Sequence, residues 1–185
     1  MTCIVAVRGK DGSVIMGGDS MGADGWDRMT IAEPKVFRLG DYAIGYTSSF
    51  RMGQLLGFSM EAPAPPKKRA DLARFMRREF TDAVRSTLKA GGWIKITDAK
   101  EDAGSFLVAV RGRVFNFGDE LYSVESAEPF DSVGCGRAYA LGALRALHDV
   151  PVSMNARQRC EAALKVAVRS STGVSAPFHF VSTEP

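Results

Sequence analysis

Histidine and cysteine are scarce in this chain: two histidines, His148 and His179, and three cysteines, Cys3, Cys135 and Cys160, occur in 185 residues. The cysteines are odd in number, far apart and form no C-x-x-C, which argues against structural zinc and a disulfide framework and suits a reducing compartment. No run of about eighteen apolar residues is present, and the N-terminus lacks a basic stretch leading into an apolar one, so no membrane partner and a cytoplasmic location are expected. An excess of one charge sign is missing too. Lys plus Arg number 24 against 21 Asp plus Glu, a balance of +3, too small to call for nucleic acid. What remains is an ordinary globular composition, 45% apolar and 24% charged, and the length suits one domain over residues 1–185 that folds unaided.

Strand signals open the chain. Thr2 to Gly9 alternates around Val5 and Val7, Lys10-Asp11-Gly12 gives a hairpin turn, and Val14 to Gly18 continues. Ser20 to Thr30 has no clear period and reads as a loop before strands at Lys35 to Leu39 and Tyr42 to Thr47. A short helix fits Phe50 to Met60, and Ala62-Pro63-Ala64-Pro65-Pro66 stops it. In Lys68 to Ala90, Leu72, Phe75, Met76, Phe80, Val84 and Leu88 fall at steps of three and four, the spacing of an amphipathic helix ended by Gly91-Gly92. A second hairpin follows at Phe106 to Val110 and Val114 to Phe117. Its Val108-Ala109-Val110-Arg111-Gly112 repeats the letters of Val5 to Gly9. Phe130 to Val133 leads through Gly134-Cys135-Gly136 into a helix carrying Leu141, Leu144 and Leu147. Another runs from about Met154 to Arg169 with Ser153 as cap, and Phe178 to Ser182 closes the chain as a strand. This order implies an α+β fold of two mainly antiparallel sheets, face to face and covered by helices.

Candidate chemistry starts at Thr2. Small residues in second position are those whose initiator methionine is normally removed, which leaves Thr2 with a free α-amine. That group titrates near 7.7 to 8.0 in model compounds and is able to accept its own hydroxyl's proton, so nucleophile and base share one residue. Asp19, after the second strand, and Lys35, at the head of the third, stand where strand ends meet residue 2. A lysine there favours the alkoxide, and an aspartate beside it keeps the lysine charged. A Ser-His-Asp triad is the competing scheme, but His148 in a helix's last turn and His179 between Phe178 and Phe180 have structural readings. The charges from Lys67 to Arg78 read as a helix's solvated face. Neither Gly17-Gly18 nor Gly91-Gly92 has a phosphate-loop signature, and no cofactor or metal is called for.

Thr2 to Val7, Asp11-Gly12, Gly18-Asp19-Ser20 and Lys35-Val36-Phe37-Arg38-Leu39 resemble the proteasome β-subunit and bacterial HslV family in order and spacing. Ile44 to Ser49 resembles that family's oxyanion segment, and Val133 to Ala140 its Gly-Ser-Gly turn and following helix. The resemblance implies a four-layer αββα sandwich of the N-terminal-nucleophile (Ntn) hydrolase class. It implies amide hydrolysis of a peptide or unfolded protein through an acyl-enzyme on threonine, a homo-oligomeric ring, and an ATP-dependent unfoldase as the class of partner.

Departures cluster around the implied chemistry. The stretch from Thr2 to Asp19 is one residue longer than the family pattern, to be absorbed at Ser13 or by a bulge. Ser48 stands for the family's glycine at the oxyanion amide. Cys135 replaces the serine near the amine, and Ser170 meets the family's aspartate. Two readings follow: an N-terminal threonine peptidase using Thr2, Asp19 and Lys35, or a catalytically silent assembly protein that keeps the sandwich.

Overall fold

In the computed structural model, residues 1–97 and 100–185 are described. Strands β1 (Ile4–Arg8) and β2 (Val14–Gly18) come first, then β3 (Met21–Asp24) and β4 (Asp27–Thr30), then β5 (Val36–Leu39) and β6 (Tyr42–Tyr46). Helices α1 (Phe50–Gln54), α2 (Leu72–Phe75) and α3 (Thr81–Ala90) precede β7 (Lys95–Thr97), β8 (Lys100–Asp102), β9 (Phe106–Val110), β10 (Arg113–Phe117), β11 (Ser123–Glu125) and β12 (Phe130–Val133). Helices α4 (Arg137–Asp149) and α5 (Ala156–Ser170) and strand β13 (His179–Thr183) complete the chain.

A four-stranded sheet has the order β12-β1-β2-β13 and a five-stranded sheet the order β11-β10-β9-β6-β5, with every pairing antiparallel. The period-two geometry of β1 sorts its side chains into two cores. Cys3, Val5 and Val7 meet Leu141, Leu144, Cys160 and Leu164 of α4 and α5. Ile4 and Ala6 turn the other way, among Met16, Val36, Ala43, Leu107 and Ala109 between the sheets. In the second sheet Tyr42, Ile44, Phe106, Val108 and Phe117 face Met52, Leu72, Met76, Phe80 and Val84, and Phe106 stacks on Phe117 at 4.6 Å. Burying such side chains contributes roughly 1.5–3 kcal/mol each. The layers therefore run helix, sheet, sheet, helix, as a four-layer αββα sandwich, and both faces of each sheet are covered.

The β1–β2 pairing runs without a bulge from Ile4↔Gly18 to Arg8↔Val14. In the turn between the two strands, Asp11 accepts hydrogen bonds from the Ser13 amide at 3.1 Å and hydroxyl at 2.7 Å.

Several local expectations are corrected. Ser20 to Thr30 is a hairpin, β3 with β4, and its period is invisible because every residue of β4 is exposed. The short strands β7, β8 and β11 also carry little apolar signal. The expected helices at 50–60 and 68–90 each contain a π-turn, Leu55–Ser59 and Met76–Phe80. In the second, the Thr81 hydroxyl donates to the Met76 carbonyl at 2.8 Å. The cap of α5 is Asn155, not Ser153: Asn155 and Gln158 exchange side-chain and backbone hydrogen bonds, both 2.9 Å, in a reciprocal capping box.

Candidate active site

One end of the sandwich brings together the start of β1, the end of β2, the head of β5 and the end of β6. Thr2, Asp19 and Lys35 are all buried there, with Asp19 at 0% and Lys35 at 1% exposure. Lys35 Nζ stands 3.1 Å from Thr2 Oγ1 and 3.0 Å from Asp19 Oδ1, and it also reaches the carbonyls of Met21 at 2.6 Å and Met1 at 3.2 Å. Thr2 Oγ1 donates to the Met1 carbonyl.

Isolated charges at this depth carry a desolvation cost of several kcal/mol, so their partners matter. Asp19 is fully engaged: besides Lys35 it accepts the amides of Cys3 at 2.9 Å, Met21 at 3.0 Å and Ser175 at 3.3 Å. Burial lowers the pKa of the Lys35 ammonium below its ordinary value, and the Asp19 charge and hydrogen bond oppose that shift. The arrangement places a partly destabilised cation directly on a hydroxyl oxygen, where it favours the ionised form of that hydroxyl.

Cys135 lies in the turn between β12 and α4. Its Sγ is 3.3 Å from the Thr2 nitrogen and 3.4 Å from the Thr2 carbonyl oxygen. The turn fits against Thr2 because Gly134 holds φ 99, and a Cβ there would run into the Thr2 carbonyl. Cys135 is exposed, whereas Cys3 and Cys160 are buried. Burial pushes the Cys3 thiol up to about 12.

Ser48 follows β6 at φ 65, the left-handed region where glycine is favoured. Its hydroxyl accepts the Ser105 amide at 3.1 Å and lies 3.2 Å from Thr47 Oγ1, local bonds that offset the strain. Among the described residues the Ser48 amide has no hydrogen-bond acceptor. Ser48 and Thr2 line a cleft of about 290 Å³ whose other walls include Met21, Ala23, Tyr46 and Phe50. Burial raises the Tyr46 phenol to about 12, so it stays protonated at neutral pH.

Thr2, Asp19, Lys35, Ser48 and Cys135 are thus brought to one place, and Ser170 is not. Ser170 is exposed at the last turn of α5. The hydroxyl on this side belongs to the next residue, Ser171, whose Oγ lies 3.7 Å from Cys135 Sγ and accepts the Gly173 amide at 3.3 Å. Ser171 was not singled out in the sequence, where a run of two serines and a threonine gives no sign of which one turns inward.

No protein-family model matches the chain, and no curated protein matches it by sequence. Solved structures do match. BPH of Thiobacillus denitrificans, in complex with epoxomicin, superposes with a TM-score of 0.80 at 21% identity, covering 98% of each chain. The eukaryotic HslV of Trypanosoma brucei gives 0.71 at 20% identity, covering 99% of each. Anbu, an ancestral β-subunit from Yersinia bercovieri, gives 0.65 at 14% identity, covering 98% of this chain and 81% of that one. The fold is that of the HslV-like Ntn hydrolases. The two-sheet sandwich is therefore shared with HslV and Anbu across nearly the whole of this chain. Among the described residues no helix is long and apolar enough to cross a membrane.

Proposed function

We propose that this chain is an N-terminal threonine hydrolase that cleaves peptide bonds through an acyl-enzyme on Thr2. The observation that carries the reading is the contact of a buried Lys35 ammonium with Thr2 Oγ1 at 3.1 Å, beside Asp19, at the wall of a cleft. Removal of Met1 frees the Thr2 amine, which then takes the hydroxyl proton as Oγ1 attacks the substrate carbonyl. The developing oxyanion is met by the unengaged Ser48 amide, and Lys35 steadies the alkoxide character of Oγ1. The protonated amine gives its proton to the leaving amine, and water, deprotonated by the same amine, releases the acyl group and restores Thr2.

The walls formed by Met21, Ala23, Tyr46 and Phe50 carry no charge, which favours an apolar side chain just before the scissile bond in a peptide or unfolded protein substrate. Fully exposed Trp26 at the β3–β4 tip and largely exposed Phe58 offer contact surface for neighbouring copies, in keeping with a homo-oligomeric ring. An ATP-dependent unfoldase remains the partner class this reading calls for.

Epoxomicin, bound by the BPH of Thiobacillus denitrificans, is the probe of choice. Protein shown by intact mass to begin at Thr2 is expected to gain one epoxomicin mass, and Thr2→Ala protein to gain none. Labelling of the Thr2→Ala protein ends this reading.

A catalytically silent assembly protein is the second reading. It is favoured by the lack of charge in the groups that the Thr2 nitrogen meets, the Cys135 thiol and, beyond it, the Ser171 hydroxyl. A ring that begins at Thr2, takes up no epoxomicin and hydrolyses no peptide supports it.

A further inference from the structure

Opposite the Thr2 cleft, a second and larger cavity of about 780 Å³ opens between the β1–β2 turn and the segment entering α5. Arg8 lies six positions after Thr2 along β1 and its start, roughly 20 Å along an extended strand. The lining is strongly cationic: Arg8, Lys10, Arg157 and Arg159 face a single carboxylate, Asp11. That carboxylate is already occupied by both hydrogen-bond donors of Ser13. Among the described residues none of the four cations forms a salt bridge.

Two of the cations are held in place without an anion. The Arg157 guanidinium sits 4.1 Å over the Phe180 ring, and Arg159 Nε is buried with no hydrogen-bond partner. An unpaired buried guanidinium nitrogen leaves a desolvation cost unmet, and four like charges around one hollow repel one another. Both are relieved by an anion in the cavity. The capping box of Asn155 and Gln158 closes the α5 terminus on itself, so recognition falls to the side chains.

We propose that this cavity binds a small molecule carrying a chain of phosphates. Arginine forks match phosphate oxygens in bidentate pairs, several linked anionic groups are needed to answer four cations, and the volume lies within the range of small-molecule sites. Free polyphosphate and a nucleoside triphosphate share this chemistry. The site is separate from the Thr2 cleft and stands whether or not Thr2 is a nucleophile.

Titration calorimetry of the full chain with tripolyphosphate, ATP and citrate at fixed ionic strength tests the assignment. Tripolyphosphate is expected to bind saturably, at least tenfold tighter than citrate, and to bind Thr2→Ala protein equally well. Arg157→Gln/Arg159→Gln and the exposed-turn variant Arg8→Gln/Lys10→Gln are each expected to weaken it tenfold or more with unchanged circular dichroism. ATP binding tighter than tripolyphosphate assigns the ligand to nucleotides, and equal binding assigns it to the phosphate chain alone. Absence of binding at about 1 mM, citrate binding as tight as tripolyphosphate, or undiminished binding in the folded turn variant overturns the proposal.

Discussion

Ser171 Oγ lies 3.7 Å from Cys135 Sγ, which itself lies 3.3 Å from the Thr2 nitrogen, while Ser170, one residue earlier, faces solvent. A carboxylate meant to steady the Thr2 amine therefore belongs at position 171. Ser171→Asp is expected to raise peptide hydrolysis severalfold, because a carboxylate favours and orients the ammonium formed during attack. Ser170→Asp is expected to leave turnover unchanged and to lower stability by about 0.3–1 kcal/mol, since an anion at a helix C-terminus opposes the helix dipole. Turnover and melting temperature of the two variants, compared with wild type, decide between positions. A gain at 170 alone refutes the placement.

Lys35→Ala is expected to cut turnover at least a hundredfold, about 2.7 kcal/mol of barrier, with the epoxomicin adduct forming correspondingly slowly. An unchanged rate removes Lys35 from the chemistry.

The pH profile carries the same residue's signature. Burial holds the folded-state pKa of Lys35 below its ordinary 10.5, and Asp19 holds it up. Between the two values the unfolded chain keeps a proton that the folded chain has lost, so the stability penalty of burying this ammonium is full below that window and is relieved as pH climbs through it. If turnover needs the ammonium, activity declines on the alkaline side before pH 10.5. Asp19→Asn is expected to move that decline to lower pH. A decline that stays in place or moves upward contradicts the assignment.

Iodoacetamide is expected to modify Cys135 and spare Cys3 and Cys160, because the first thiol is exposed and burial pushes the other two up. The added group sits against the Thr2 nitrogen, so epoxomicin labelling should fail in proportion to the modification. Peptide mapping measures the site, and intact mass measures the loss.

A panel of fluorogenic peptides is expected to show cleavage after leucine or phenylalanine at least tenfold faster than after lysine or aspartate, given the uncharged walls at Met21, Ala23, Tyr46 and Phe50. Preference for a charged residue would show that these walls do not receive the side chain before the scissile bond.

The two helix-facing cores were legible because strand alternation and helix spacing are carried by buried residues: Val5 and Val7 mark one face of β1, and Leu72, Met76, Phe80, Val84 and Leu88 mark one stripe of a helix. The meeting of Thr2, Asp19 and Lys35 was legible as a consequence of strand ends. The hairpin β3–β4 was not, because an exposed ribbon leaves no apolar period. Nor was the choice of Ser171 over Ser170, or of Asn155 over Ser153. Each depends on one rotation of backbone at a helix end, which neighbouring polar residues of similar type do not encode.

Strand β1 lies inside its sheet, between β12 and β2, and buries alternate side chains in two separate cores. The residue proposed to attack is thus the leading end of an enclosed piece of chain. Amide exchange at Ile4 to Val7 should require opening of the whole molecule rather than local fraying. Thr2 then inherits its aim from the core. Substitutions at Ile4 or Ala6, which touch no substrate, will alter activity and stability together, and evolution has little room to adjust one without the other.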